Sequence, residues 1–214
     1  MNKNTTKDKK KIYTFIHPTK SGGTAVERYF RDYYKDYIIG MGHATKCSNI
    51  NNPIIIVRDV KSRFLSMYKY WKNGSVDNIF GKRDESWKQK YNNATVLDFI
   101  QILKNDKSLL YHKFTHKEHY FNTTHWIGNT DYKNIIVIKY DNNLNNKIQK
   151  LLTALSIPNK NIVLPIINKS NSIDNKVCKT NNKYVDEFIQ NYFKDDIKLI
   201  KTIENKPGLF KLVL

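Results

Sequence analysis

The chain has 214 residues and a formal net charge of +18 at pH 7. This length suits one sizeable domain, and we expect a single domain over residues 12–214 after a charged, disordered tail at 1–11. No run approaches the roughly 18 apolar residues that a membrane span needs. Because the N-terminus also lacks the apolar centre of a signal peptide, we expect an intracellular protein without a membrane anchor.

The positive charge comes mainly from lysine. Only five of the 37 basic residues are arginines, namely Arg28, Arg31, Arg58, Arg63 and Arg83. Lysine and asparagine have A-rich codons, so an AT-rich genome, as in some microbes and large viruses, raises both without selection for a polyanion. We therefore expect nucleic acid not to be the main ligand, although this positive field would favour another acidic substrate.

Short apolar runs alternate with amphipathic runs along the chain. Runs typical of buried strands occupy residues 12–16, 37–41, 53–57 and 135–138. Helical spacing of apolar residues occupies 25–34, 60–71, 95–103, 144–155 and 184–203. The polar stretch 73–93 predicts a surface loop or lid. Strands that alternate with helices predict a three-layer α/β/α domain with a mainly parallel central sheet.

The stretch HPTKSGGT, residues 17–24, joins the first predicted strand to the first helix. Gly22 and Gly23 let the backbone amides turn toward an anion, at a helix N-terminus that already attracts negative charge. Lys20 adds a positive charge and Thr24 adds a hydroxyl. The lysine precedes the glycines here, whereas it follows the last glycine in the common P-loop. The alternative is an ordinary glycine turn with a surface lysine.

A second candidate anion site lies in VRDVKSRFLSMYKYW, residues 57–71. Arg58 ends an apolar strand and Ser66 lies in the next helix, so a guanidinium fork and a hydroxyl could bind a second phosphate. The alternative is an Arg58 paired with a nearby carboxylate. We expect Asp59 to orient Arg58 or cap the helix. IIIVRD and IIVIKYD lack the strand-end aspartate expected for Mg²⁺ binding, which disfavours ATP-dependent phosphoryl transfer.

Both stretches resemble motifs of the sulfotransferases. FIHPTKSGGT, residues 15–24, resembles their 5′-phosphosulfate loop, H-x-P-K-T-G-G-T-S. RDVKSRFLSMY, residues 58–68, resembles their 3′-phosphate motif, R-D-P-x-x-R-x-x-S-x-Y. The sequence departs from these patterns at Pro18, which comes one residue early, and at Val60, which replaces a proline.

Further segments follow in an order similar to that of the carbohydrate sulfotransferase group. They are YFNTTHWIGN at 120–129, YDNNL at 140–144 and INKS at 167–170, whose Asn168 and Ser170 have no assigned role. The resemblance implies the P-loop-like sulfotransferase fold, with 3′-phosphoadenosine 5′-phosphosulfate (PAPS) as donor and 3′,5′-bisphosphoadenosine (PAP) as product.

The same resemblance implies roles for individual residues. Lys20 would contact the bridging oxygen and the leaving phosphate, while the following amides and the Thr24 hydroxyl would hold the phosphosulfate. Arg58 and Ser66 would bind the 3′-phosphate. The residues implied in donor binding are Lys20, Ser21, Gly22, Gly23, Thr24, Ala25, Arg58 and Ser66.

Histidine is the natural base for the acceptor hydroxyl. His43 follows the second predicted strand in MGHAT and should therefore lie at the same sheet edge as Lys20. In the related group the base, His or Glu, often comes from this region. We expect His43 to be the catalytic base and Glu27 to be the second choice, whereas a loop histidine without a role is the alternative. We further expect Trp126 in the core, and Arg63 either at the 3′-phosphate or on the helix surface.

Other titratable residues point to no metal site or disulfide. His112, His116 and His119 share a helical spacing, but no H-E-x-x-H order is present and the family uses no metal. Cys47 and Cys178 are isolated in the sequence. The resemblance therefore implies a sulfotransferase that acts on a hydroxyl acceptor without a metal, with a glycan as first choice before a small alcohol, lipid or protein tyrosine. The rivals are a P-loop-type kinase and a nonenzymatic polyanion-binding protein.

Overall fold

A computed structural model describes residues 11–74, 83–105, 107, 120–165 and 182–214. The strands are β1 Tyr13–Ile16, β2 Ile38–Gly40, β3 Pro53–Arg58, β4 Ile136–Tyr140 and β5 Leu212–Val213. The helices are α1 Gly23–Tyr33, α2 Val60–Asn73, α3 Glu85–Tyr91, α4 Val96–Asn105, α5 Thr123–Ile127, α6 Leu144–Ala154, α7 Lys183–Tyr192 and α8 Lys194–Asn205. The predicted disordered tail lies outside the described residues, except for Lys11.

The five strands form one parallel sheet in the order β2-β1-β3-β4-β5. The chain leaves β1 through α1 to β2 on one side, and then crosses to β3 on the other side of β1. The strand order therefore reverses at β1, and the crevice beyond the carboxyl ends of β1 and β3 is where open α/β sheets bind ligands. The HPTKSGGT loop lies at this crevice.

The apolar run of β3 is buried on both faces of the sheet. Ile54 and Ile56 belong to a cluster with residues of α1 and α6, whereas Ile55 and Val57 belong to a cluster with residues of α5 and α8. Because neither face meets water, the strand needs no alternating polar residues. These clusters confirm the predicted three-layer α/β/α arrangement.

The prediction of one closing helix over 184–203 is wrong, because the structure divides it at Phe193. Phe188 of α7 packs in the cluster built by α2 and α4, whereas Leu199 of α8 packs against the sheet. One straight helix could not pack its first half in the first cluster and its second half against the sheet. The buried Phe193 ring fills the corner, with its centroid 6.1 Å from that of Phe64.

Helix α3 also lies within the stretch predicted as a loop, so that prediction is wrong for its second half. Asp84 caps α3 by accepting a hydrogen bond of 2.9 Å from the Trp87 amide. The rings of Trp87 and Tyr91 pack on Trp71. With these two large apolar side chains alone in seven residues, the helix is too short to show a periodic pattern in the sequence. No helix among the described residues has the length and apolar character needed to cross a membrane.

A buried ion pair connects α2 to α8. Arg63 Nη1 lies 3.2 Å from Asp196 Oδ2, and both side chains are almost fully buried. Asp196 also accepts hydrogen bonds from the amides of Thr123 and Thr124, at the start of α5. The carboxylate therefore has several donors, as a buried charge requires.

We predict that Asp196→Asn lowers the free energy of unfolding by about 3–5 kcal/mol, because it leaves the Arg63 charge buried without its counterion. Urea denaturation measures this loss. The control is Asp186→Asn, which breaks the half-exposed pair with Lys61 and should cost at most about 1 kcal/mol. Equal losses in the two variants would contradict the prediction.

Candidate anion-binding site at the carboxyl edge of the sheet

The loop between β1 and α1 has two residues in the left-handed region, Lys20 with φ 63° and Gly22 with φ 84°. For lysine this conformation costs about 1–2 kcal/mol, so the surrounding contacts must hold it in place. The amide and the hydroxyl of the buried Ser21 both donate to the carbonyl of Pro18. Ser21 therefore shapes the loop, and its amide is engaged inside the loop rather than directed at an anion.

The two loop glycines are required by close packing. A Cβ at Gly22 would lie 2.2 Å from Cε2 of Tyr140, and a Cβ at Gly23 would lie 2.1 Å from Cγ of His17. Gly22 is also the N-cap of α1, and because glycine has no side chain it cannot accept a hydrogen bond from the first-turn amides. The first-turn amides of Gly23, Thr24 and Ala25 are thus uncapped by a side chain, and an anion could accept from them.

Lys20 places an ammonium among positive and aromatic groups. Its Nζ lies 4.4 Å from the ring centroid of Tyr70. Burial, together with the charges of Arg58 and Arg83, lowers the pKa of Lys20 to about 8. Among the described residues no carboxylate contributes to this pKa. A desolvated cation beside two further cations could bind a multiply charged anion.

Arg58, at the carboxyl end of β3, links the two predicted phosphate sites. Its Nη1 donates to the carbonyl of Lys20 at 3.2 Å, its Nε donates to the Ser62 hydroxyl at 2.9 Å, and its Cζ lies 4.9 Å from the Tyr140 ring centroid. Burial lowers the pKa of Arg58. Asp59 caps α2 as expected, by accepting from the Ser62 amide at 2.8 Å.

Ser66 is half-buried on α2, between two residues that already contact the cations. Ser62, Ser66 and Tyr70 follow at intervals of four, so their side chains share one helix face. Ser62 binds Arg58 and Tyr70 contacts Lys20. This helix face therefore brings Ser66 to the region between Arg58 and Lys20.

Arg63 is neither a surface residue nor a group directed at the site. Its Nε donates to the Thr19 carbonyl at 3.0 Å and its Nη2 donates to the Phe121 carbonyl at 2.6 Å, while Nη1 pairs with Asp196. Burial lowers the pKa of Arg63 to about 10, against the opposing effect of Asp196. Arg63 holds the residue before Lys20 and thereby supports the loop.

His43 lies in a cluster with His17 and Glu27 beyond the ends of β1 and β2. The centroids of the two imidazole rings are 5.8 Å apart, and His17 Nε2 lies 3.2 Å from Glu27 Oε2. The hydrogen bond with His17 lowers the pKa of Glu27, although burial opposes this. The indole of Trp126, buried as predicted, donates to the His43 carbonyl at 3.2 Å. The cluster therefore brings two imidazoles and a carboxylate together at the carboxyl edge of the sheet.

Sequence reasoning missed three residues of the site. Tyr140 ends β4 beside Arg58, Tyr70 lies under Lys20, and Arg83 contacts Tyr70 with its Cζ 5.0 Å from the ring centroid. The four-residue spacing from Ser62 through Ser66 could have indicated Tyr70. No sequence signal indicates Arg83, which reaches the site through tertiary packing.

Several predicted features are not part of the described site. His112, His116, His119, Asn168, Ser170 and Cys178 lie outside the described residues. Within the described ranges, no three or more His, Cys, Asp or Glu side chains lie close enough together to hold a metal ion.

An open groove of about 580 Å³ runs along α8 and is lined by Lys194, Ile197, Lys198, Lys201, Thr202, Asn205, Lys206 and Leu209. It includes no residue of the HPTKSGGT loop. We place the candidate site at the loop rather than in this groove, because buried cations and uncapped helix amides converge there.

Comparisons of the chain with models of protein families, with curated proteins and with solved structures found no match. The functional argument therefore depends on the geometry of the site and on the two motifs.

We predict that Gly22→Ala lowers the free energy of unfolding by at least about 1 kcal/mol, since alanine disfavours positive φ and its Cβ would collide with Tyr140. Gly208→Ala is the control, because a Cβ there meets nothing within 4 Å, and its effect should stay within about 0.5 kcal/mol. Thermal or urea denaturation compares them. A harmless Gly22→Ala would show that the loop adopts another conformation.

Proposed function

We propose that the protein is a sulfotransferase that uses PAPS as donor and a hydroxyl group, first of all that of a glycan, as acceptor. The observation that carries the proposal is the contact between the two motifs, in which Arg58 Nη1 donates to the Lys20 carbonyl. It joins two cationic sites at the ends of neighbouring parallel strands. A nucleotide with a phosphate at each end of its ribose fits such a pair of sites.

The loop residues suit the leaving group of sulfuryl transfer. In this reaction the acceptor oxygen bonds to sulfur as the bond from sulfur to the 5′-phosphate oxygen breaks, so negative charge grows on that phosphate. Lys20 and the first-turn amides of α1 are fixed before the reaction, and preorganised donors of this kind stabilise developing charge. Arg58 and Ser66 would hold the 3′-phosphate and so fix the orientation of the donor.

The proton of the acceptor hydroxyl would pass to His43. This residue lies one strand away from the Lys20 loop, and its backbone is held by Trp126. Glu27 is the weaker candidate, because it is already hydrogen-bonded to His17 and this bond lowers its pKa. A carboxylate with a lowered pKa is a poorer base.

The strand-end carboxylates support sulfuryl transfer over a kinase reaction. Asp59, after β3, caps α2, and Asp141, after β4, is paired with Lys147. Neither therefore resembles the Mg²⁺ ligand that P-loop kinases place after an apolar strand. Nonspecific polyanion binding is supported only by net charge, and it predicts steep salt dependence without preference for PAP.

We predict that PAP raises the melting temperature more than ATP with Mg²⁺ does, because a ligand of the native state stabilises it, by about 2.7 kcal/mol at a hundredfold excess over Kd. Differential scanning fluorimetry with both ligands measures the shifts. No shift with saturating PAP would reject the sulfotransferase proposal, whereas a shift only with ATP and Mg²⁺ would favour the kinase.

The role of Arg58 is tested with PAP and AMP, which lacks the 3′-phosphate. We predict that Arg58→Ala weakens PAP binding by roughly 10- to 100-fold, as expected for loss of charge-assisted hydrogen bonds. AMP binding should weaken less, because AMP loses only the support that Arg58 gives to the Lys20 carbonyl. Arg31→Ala is the matched control, because it removes the same charge from an exposed pair with Asp32. Calorimetric titration measures each Kd. Equal losses for PAP and AMP would contradict 3′-phosphate recognition.

The role of His43 is tested by turnover. We predict that His43→Ala lowers PAP release from PAPS, with heparan sulfate as trial acceptor, by roughly 10²- to 10⁴-fold while the Kd for PAP stays within about threefold. Loss of PAP binding would reject His43 as the base. Glu27→Gln is the comparison, and the role would pass to Glu27 if only that variant lost turnover.

A further inference from the structure

Tyr70 presents one aromatic ring to two cations. The Nζ of Lys20 lies 4.4 Å from the ring centroid, and the guanidinium carbon of Arg83 lies 5.0 Å from it. Both distances are within the range in which a cation is attracted by the negative face of an aromatic ring. Tyr70 lies two residues after the RDVKSRFLSMY motif, and Arg83 lies outside both motifs.

Arg83 is fixed by the last turn of α2. Its Nε donates to the Trp71 carbonyl at 3.1 Å and its Nη2 donates to the Tyr70 carbonyl at 2.9 Å. Its Cζ also lies 5.2 Å from the centroid of Trp87, and the residue is buried. The Tyr70 carbonyl also accepts a hydrogen bond of 2.8 Å from the Gly74 amide, which ends α2. Because the C-terminus of a helix attracts positive charge, these contacts fix Arg83 against the last turn of α2.

Lys20 therefore experiences opposing influences. Arg58, from the end of β3, and Arg83, from the segment before α3, both repel the ammonium, whereas the Tyr70 ring on α2 attracts it. A lysine side chain is flexible and strongly hydrated, and nothing in its own structure would keep it beside two guanidinium groups. The ring contact and the left-handed backbone of Lys20 supply the constraint.

We propose that Tyr70 is a positioning residue for Lys20, and that the Tyr70 ring holds the ammonium beside the opposing charges of Arg58 and Arg83, ready for an incoming phosphate. The ring contact holds the ammonium without neutralising its positive charge. A salt bridge with a carboxylate would neutralise that charge. The inference rests on the proposed function in one respect, namely that Lys20 is the residue that contacts the phosphate.

The proposal predicts opposite effects on the proton affinity of Lys20. The ring stabilises the protonated amine, so its removal should lower the pKa of Lys20. Arg83 repels the protonated amine, so its removal should raise that pKa. If the two residues only maintained the local structure, either substitution would admit water to Lys20, and both would move the pKa upward.

The experiment measures the ionisation of Lys20 without a ligand. The intact protein reacts with trace acetic anhydride between pH 6 and 11, and peptide mass spectrometry quantifies labelling of Lys20 against the exposed Lys183. The wild-type midpoint should lie at about 8. Tyr70→Leu should lower the midpoint and Arg83→Met should raise it. Tyr70→Phe keeps the ring and loses only the hydroxyl, which is hydrogen-bonded with Arg83, so it should shift the midpoint less than Tyr70→Leu does.

An upward or absent shift in Tyr70→Leu, or a downward or absent shift in Arg83→Met, would overturn the proposal. Circular dichroism checks that each variant is folded, and Tyr70→Met and Arg83→Gln replace any that is not. PAP titration of the wild type separates the two proposals. Opposite shifts without PAP binding would reject the function alone, and PAP binding without opposite shifts would reject the positioning role alone.

Discussion

The geometry of the candidate anion site depends on the contacts of the buried Arg63 guanidinium. This guanidinium binds the carbonyl of Thr19 in the loop, the carbonyl of Phe121 before α5, and the carboxylate of Asp196 in α8. These three groups are far apart in the sequence, and a charge buried in this way requires all its partners to be present. The loop therefore keeps its shape through the packing of α2, α5 and α8, and this permits a strained backbone at Lys20.

The arginines near the site differ in burial and in the groups that they contact. Arg63 and Arg83 are buried and use their nitrogens on backbone carbonyls or on Asp196. Arg58 is half-buried and holds the loop at the Lys20 carbonyl while its planar group lies near Tyr140. A net charge of +18 could suggest a general affinity for polyanions, but these particular cations have defined partners. The arrangement of these cations, rather than the total charge of the chain, therefore distinguishes the candidate site from a generally basic surface.

Sequence reasoning was most successful where local pattern and tertiary environment agree. The runs at β1, β3 and β4 were found because strands buried on both faces are mainly apolar. It failed at α3, whose few apolar rings follow a polar stretch, and at the corner at Phe193, where two helices with similar periodicity pack against different clusters. In each case the deciding contacts come from residues remote in the chain, which a local period does not report.

By itself, the sequence determined the order of the first four strands and of α1, α2, α4 and α6, the glycine loop, and the positions of Lys20 and Arg58 at two strand ends. These features depend on neighbouring residues and on the sidedness of parallel sheets. Only the tertiary structure decided that Ser21 binds Pro18, that Arg63 supports the loop, and that Tyr70, Arg83 and Tyr140 surround the cations. The physical reason is that the burial and pairing of a charge depend on which distant segments fold against it.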